Sequence, residues 1–312
     1  MMLGLGTEHG YARCSQCGTL QIIDVPSDLA RYYDRDLYYS LVGHAPEPRR
    51  NRLRAWIGNR CDRAHIFDEY GLFGRLARAR NSIVAERLKS YVGESPVRSW
   101  NAAILDVGCG SGALVQELAI HGFRRVEGID PYMPDAAVSL ETCPRLRRAS
   151  AADLLAEATR FDLIMLTHVL EHVPDPIAAM QAVAGLLSPR GVCRIEVPVT
   201  DCDAFDAYGA DWVEIDAPRH LHIPSRRAIA LLAARMGLEI YRSHPAGSGF
   251  EFWGSEMYRR QLTLIDRERR SYREPRETFT DDELRAFDDR AAEAAGRGRS
   301  GRERFYLRKP PA

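Results

Sequence analysis

Two aspartates and three glycines within one short stretch carry most of the chemistry in this chain. Asp106 closes the apolar run Ala103-Ile104-Leu105; Gly108, Gly110 and Gly112 follow at alternate positions, and Asp130 lies eighteen residues beyond the last of them. Glycines let the backbone turn sharply and let a ligand approach with no Cβ in the way. A second apolar run, Val126-Glu127-Gly128-Ile129, ends in Asp130, where a carboxylate can accept both hydroxyls of a ribose. An adenosine-containing ligand is therefore expected. Gly108-x-Gly110-x-x-Ala113 also satisfies the loose dinucleotide pattern, with Asp130 twenty residues past Gly110. Asp106 decides between the two: a carboxylate beside the turn is awkward for a pyrophosphate but suits the ammonium and sulfonium of a methionine moiety. S-adenosylmethionine is the expected cofactor, and a nicotinamide dinucleotide is its competitor.

Two further stretches are dense in groups able to move protons. His168-x-x-Glu171-His172 matches the inverted zinc-protease signature letter for letter. It follows a strand and stops at Pro174, too short for a metal-binding helix face, so a protease is not expected. The segment 212–224 contains Pro218-Arg219-His220-Leu221-His222. If the methyl acceptor is an alcohol, a base must remove its proton, and histidine has the pKa for that. Only one of His220 and His222 is expected to face a cavity. His220 is the first candidate, with His222 close behind. The bland alternative is that both hold the loop through hydrogen bonds to the backbone.

These groups need elements to hold them. Strands are expected at 104–107, 126–130, 146–149, 161–166, 192–197, 238–241 and 304–307, alternating with helices. Alternation of this kind implies a parallel sheet with right-handed crossovers. The predicted fold is a doubly wound α/β protein with a seven-stranded, mostly parallel sheet, an N-terminal cap and a C-terminal helical addition. Asp175-Pro176, Ser225 and Thr280-Asp281-Asp282-Glu283 read as helix starts. Residues 72–92 read as one or two amphipathic helices. Residues 1–75 are expected to form a zinc-knuckle remnant and cap, and 76–312 a cofactor-binding domain with insertions at 198–224 and 246–302. In an open α/β sheet the ligand crevice lies at the strand carboxyl ends. The first insertion leaves from such an end, which makes it the candidate acceptor segment.

Residues 104–118, Phe161-Asp162-Leu163-Ile164, the run from His168 to Pro176, and Leu187-Ser188-Pro189-Arg190-Gly191 stand in a telling order. In order and spacing the chain resembles the class I S-adenosylmethionine-dependent methyltransferases. The likeness is closest to a bacterial branch with an N-terminal zinc-ribbon-like segment, and it runs from Arg13 to Lys309. It implies cofactor contacts at Asp106, Gly108, Cys109, Gly110, Gly112, Asp130, Pro131, Ala152, Asp153, Thr167 and His168. Ala151, Ala152 or Asp153 would flank the adenine, and the loop at His168 would border the methionine end. It also includes the Pro-Arg-His-x-His pattern and a last strand inserted antiparallel beside the sixth. Many such relatives act on sugars or small natural products, which implies a small-molecule or glycan acceptor and O-methylation. A nicotinamide-dependent oxidoreductase and a non-catalytic cofactor-binding subunit are the competing classes.

Cys14-Ser15-Gln16-Cys17-Gly18 is half of a zinc knuckle. A structural zinc needs four ligands; His9 is a conceivable third and no fourth is apparent, so no metal is expected. Tyr32, Tyr33, Tyr38 and Tyr39 form a dense aromatic segment, read either as packing or as a lid over the acceptor. Cys109 reads as a small side chain admitted by a tight turn, since only a helix N-terminus could activate its thiol. The 312 residues, with 45% hydrophobic and 28% charged content, are ordinary for a globular enzyme. Zero net charge argues against recruitment of nucleic acid. No run approaches the roughly 20 apolar residues of a membrane helix. No signal-peptide pattern opens the chain, and its seven cysteines are scattered, so a cytoplasmic protein without disulfides is expected. Oligomeric state is left open.

Overall fold

A computed structural model describes residues 7–32, 52–68, 71–80, 82–93, 95, 97–133, 135–138, 144–266, 269 and 271–311. Tyr33, Tyr38, Tyr39 and Cys143 lie outside the described residues. The chain opens with a hairpin of β1 (Tyr11–Arg13) and β2 (Leu20–Ile22), then α1 (Arg52–Ile66), α2 (Leu72–Arg80) and α3 (Ile83–Val92). Next come β3 (Ala103–Val107), α4 (Ala113–Ile120), β4 (Arg125–Ile129), β5 (Arg145–Arg147), β6 (Phe161–Thr167), α5 (Pro176–Leu186) and β7 (Leu187–Pro198). The remainder is α6 (Asp203–Tyr208), β8 (His222–Ile223), α7 (Arg226–Arg235), β9 (Glu239–Pro245), α8 (Phe250–Arg259), β10 (Ile265–Asp266), β11 (Ser271–Tyr272), α9 (Asp281–Gly296) and β12 (Arg302–Arg308).

Seven strands form one sheet in the order β5-β4-β3-β6-β7-β12-β9. β3 pairs in parallel with both β4 and β6, and β4 with β5. The apolar runs of β3 and β6 are buried almost throughout, as expected of parallel strands covered on both faces. Strand order reverses between β3 and β6, the switch point at which doubly wound sheets bind ligands. All seven expected sheet strands are present, and β12 lies between β7 and β9. β7 begins earlier than predicted, at Leu187. There Gly191 comes so close to β6 that a Cβ would sit 2.6 Å from the Phe161 carbonyl oxygen.

The helix starts follow the sequence signals. Asp175 accepts from the N–H groups of Ile177 and Ala178, and Ser225 from that of Ala228. Thr280 and Glu283 form a reciprocal capping box on α9. Each such cap stabilises its helix by about 1 kcal/mol.

The chain divides into two compact units. One gathers residues 39–166, 181–194 and 306–312. Within it Phe67, Trp100 and Phe123 pack edge to face, and Arg194 lies buried over the Tyr91 ring at 4.7 Å. The other gathers residues 1–38, 167–180 and 195–305. Its core sets Trp212, fully buried, among Tyr208, Phe252 and Ala294, so α6 from the first insertion packs with α8 and α9 of the C-terminal helical addition. In this unit a two-residue strand, β8, pairs antiparallel with β2, matching Leu20 with Ile223 and Gln21 with His222. This third strand on the N-terminal hairpin was not foreseen.

Candidate functional site

The glycine turn sits at the carboxyl end of β3, within the first unit. Gly108, Gly110 and Gly112 all adopt positive φ, at 71°, 57° and 80°. At Gly112 a Cβ would also lie 2.6 Å from a Leu146 methyl carbon. Four amides of the turn are engaged inside the protein: Gly108 and Cys109 donate to the Ile129 carbonyl, Gly112 to that of Cys109, and Gly110 to Asp130 Oδ2 at 3.0 Å. Asp130 Oδ1 accepts from the Tyr132 N–H at 2.7 Å, which fixes the carboxylate at the end of β4.

Asp106 is buried beside this turn. Burial raises its carboxyl to about 7; the Arg194 charge opposes the rise and the Asp130 charge adds to it. Two carboxyl groups thus flank a turn whose four amides are already used. That donor set is poor for a pyrophosphate and well matched to the ammonium, sulfonium and ribose hydroxyls of S-adenosylmethionine. Burial, reinforced by Asp106 and Asp130, pushes the Cys109 thiol far up, so it is no nucleophile. Pro131 is exposed beside Asp130. Ala152 and Asp153 are exposed as well, and Asp153 Oδ2 accepts from both the N–H and the hydroxyl of Ser150 at 2.7 Å.

The second unit contains a histidine cluster. Thr167 ends β6, and His168 follows with φ 53°, a left-handed conformation rare for a non-glycine residue. Residues 168–175 then turn rather than form a helix, so His168 and His172 do not share a helix face. His168 Nδ1 lies 3.2 Å from Glu171 Oε1, and its Nε2 is 3.8 Å from Glu196 Oε1. Glu171 is fully buried, and its other oxygen, Oε2, has no hydrogen-bond partner among the described residues. The backbone carbonyl of Glu171 accepts from Leu221 and His222, tying this turn to the 212–224 segment.

That tie brings His220 against His172, with ring centroids 4.7 Å apart. His220 Nδ1 lies 2.6 Å from the Glu214 carbonyl and His172 Nδ1 3.0 Å from the Arg219 carbonyl. Each ring therefore donates from Nδ1 and keeps Nε2 as its basic nitrogen. Asp216 Oδ2 is 3.9 Å from His220 Nε2 and forms an ion pair with Arg219. Burial opposes charge on Glu171, His168 and His172, with different outcomes. Burial would raise the Glu171 carboxyl, yet the His168 hydrogen bond and the charges of His172, His168 and His220 hold it at about 2. Burial also opposes His168 protonation, but the Glu171 bond wins and raises it. At His172 burial and the His220 charge outweigh the Glu171 charge and the Arg219 backbone bond and push it down to about 4.

His222 faces elsewhere. Its Nε2 lies 3.2 Å from the Pro174 carbonyl, and it lines an apolar pocket of about 260 Å³ with Cys17, Leu170, Ile177 and Ile229. In an extended strand residues two apart share a face, but His220 lies before β8 and outside it, so the two histidines of the Pro-Arg-His-x-His pattern make different contacts. The N-terminal hairpin supports the segment: the Tyr11 hydroxyl donates to the His220 carbonyl at 2.7 Å, and Ser225 Oγ to that of Cys17. Thr200 Oγ1 donates to the Gly18 carbonyl at 2.9 Å. Cys14 is exposed, and His9 lies 3.1 Å from Thr7 Oγ1. Tyr11 and Glu214 were missed from sequence because neither lies in a motif. The Tyr11 signal is its place in the hairpin, three residues before the cysteine knuckle.

Residues 74–243, a little over half of the chain, match the family described as a methyltransferase domain. The ubiquinone biosynthesis O-methyltransferase of Neisseria meningitidis serogroup C (strain 053442) is 39% identical over 102 residues, covering 28% of this chain and 41% of that protein. The protein of the same name from Xanthomonas campestris pv. campestris (strain B100) is 35% identical over 153 residues, or 44% of this chain and 64% of that one. The chain therefore spans less than two thirds of the length of these relatives. The crystal structure of an S-adenosylmethionine dependent methyltransferase from Mesorhizobium loti aligns with a TM-score of 0.45 at 18% identity, covering 73% of this chain and 99% of that one. No helix among the described residues is long and apolar enough to cross a membrane.

Proposed function

Because the chain belongs to the methyltransferase-domain family and is a class I S-adenosylmethionine-dependent methyltransferase, we propose that it methylates a hydroxyl of a small-molecule or sugar acceptor, with His220 taking the proton. S-adenosylmethionine, when bound, would supply a methyl carbon to which the acceptor oxygen bonds in line as the carbon–sulfur bond breaks and S-adenosylhomocysteine leaves. Asp106 would pair with the ammonium of the methionine moiety, Asp130 would accept the ribose hydroxyls, and the glycine turn would let the ligand approach the backbone. Pro131, Ala152 and Asp153 are assigned to the nucleoside side, and Thr167 and His168 to the methionine end.

The observation that carries the acceptor half is the hold on His220. Its Nδ1 is committed to the Glu214 carbonyl, which leaves Nε2 to accept a proton, and the buried Glu171 carboxylate is placed to stabilise the resulting imidazolium. His222 is the weaker candidate, since its Nε2 is already placed against the Pro174 carbonyl. The relatives named as O-methyltransferases support an oxygen acceptor. Methyl-labelled S-adenosylmethionine offered with hydroxyl-bearing and amine-bearing small molecules tests the reading. Label on oxygen is the expected product. Label on nitrogen or carbon would overturn the acceptor class, and no turnover with any acceptor would favour a regulatory subunit.

A further inference from the structure

The residues of the second unit present one grouping that proton transfer alone does not account for. Glu171, His172 and His220 each offer a ligand atom, and these atoms lie within 4.8 Å of one another. Two of the three come from the His-x-x-Glu-His run, but the partner that completes the group is His220, not His168. We infer that Glu171, His172 and His220 form a binding site for a divalent first-row cation of the zinc class.

Three observations carry this. First, the carboxylate is aimed at the group: Glu171 is fully buried, one oxygen holds His168, and Oε2 has no hydrogen-bond partner among the described residues. A buried carboxylate oxygen without a partner is costly unless a cation or donor meets it. Second, both imidazoles carry the outer contacts typical of metal-bound histidines. His220 Nδ1 faces the Glu214 carbonyl at 2.6 Å and His172 Nδ1 the Arg219 carbonyl at 3.0 Å, which orients each ring and presents Nε2. Third, the donor chemistry selects the ion. Two imidazole nitrogens and one carboxylate suit zinc, iron, cobalt or manganese, whereas magnesium and calcium prefer oxygen ligands. Ligand atoms around such an ion are about 3–3.5 Å apart, so the group closes by side-chain rotations of about 1 Å.

Three protein ligands leave coordination positions open, the arrangement of catalytic rather than structural sites. The inference deepens the acceptor reading and, for its role in turnover, rests on it, but changes the part played by His220: a bound cation would take His220 Nε2, and an acceptor hydroxyl at an open position would be made more acidic and would lose its proton to water rather than to His220. Cation binding itself is independent of any acceptor. The cysteine knuckle is a separate place, and a test must tell the two apart.

Chelator-treated full-length protein is titrated with zinc by calorimetry and with cobalt by visible absorption, without acceptor or cofactor. The wild type and a C14S/C17S variant should each bind one equivalent at this site, with cobalt bands that lack sulfur-to-metal charge transfer. Changes to outer contacts alone cost about 10–100-fold in metal affinity, so Glu171→Gln, His172→Ala and His220→Ala should each weaken zinc binding by more than about 100-fold. His222→Ala should leave it unchanged. Magnesium should not compete. The cobalt spectrum of the wild type decides the matter even if a variant fails to fold. The absence of cobalt bands, or bands that vanish in C14S/C17S, would overturn the site. If zinc does not bind while His220→Ala still loses turnover, the proton-accepting role stands without the cation. If zinc binds and turnover places the methyl on nitrogen, the site stands and the acceptor reading falls.

Discussion

The glycine turn draws its residues from one run of chain, Asp106 to Asp130, whereas the histidine cluster needs Tyr11, Glu171, His172, Glu214 and His220 from three separate runs. The turn is held by its own backbone: four amides of residues 108–112 end on Ile129, Cys109 and Asp130. The cluster is held by other segments, through β8 on β2 and through the Tyr11 hydroxyl on the His220 carbonyl. A site built locally depends little on the rest of the fold. One built from distant segments inherits the stability of every segment that supports it. The two regions should therefore respond differently to mutation, and that difference is measurable.

The largest expected effect is on the cluster. His220→Ala should lower kcat by about 10²–10⁴-fold, the usual contribution of a general base, with S-adenosylhomocysteine affinity near wild type. Steady-state kinetics with a hydroxyl acceptor reads this, and full turnover in the variant would shift the role to His222. Next is the turn. Asp130→Ala should weaken S-adenosylhomocysteine binding by roughly 1–3 kcal/mol, the loss of charge-assisted hydrogen bonds. Calorimetry checks it, and unaltered affinity would remove Asp130 from the ribose.

A pH effect comes third. Asp106 is raised to about 7 in the protein, so the unliganded fold holds its proton more tightly than the unfolded chain. Its contribution to stability is present at low pH and fades as pH rises through about 7. A cationic ligand pairs with the ionised form, so affinity should rise with pH and fall roughly tenfold per unit below that value. Calorimetry in buffers of different ionisation enthalpy should show a proton released on binding, and Asp106→Asn should abolish the release. Proton-neutral binding in the wild type would place the ammonium elsewhere. The smallest effect expected is that of Tyr11→Phe. It removes one hydrogen bond, worth about 0.5–1.5 kcal/mol, and should lower both thermal stability and kcat with cofactor affinity unchanged. Wild-type kcat in this variant would mean that the hairpin does not position His220.

The same contrast explains what could be read from the amino-acid order. All seven sheet strands were found, β3 and β6 as apolar runs and the polar β5, β9 and β12 through their place in the alternation of strand and helix, and Ser225, Asp175 and Thr280 mark helix starts by local chemistry. Gly108, Gly110, Gly112 and Asp130 form a motif because their spacing is fixed by a single turn. β8 is two residues long and has no periodicity of its own; only its pairing with β2 makes it a strand. His172 was visible inside His-x-x-Glu-His, a run read as too short for a metal-binding helix face. Residues 168–175 form a turn, and contacts between segments distant in sequence bring His220 to His172. Glu214 acts through its carbonyl, a group every residue has, so no side-chain pattern could reveal it.

The central claim is that cofactor binding belongs to the glycine turn and acceptor chemistry to the histidine cluster. Calorimetry of S-adenosylhomocysteine on wild type, Asp130→Ala and His220→Ala tests it most directly. Affinity should fall in Asp130→Ala by the roughly 1–3 kcal/mol given above and stay at the wild-type value in His220→Ala. Equal losses in both variants, or a loss confined to His220→Ala, would contradict the division of labour.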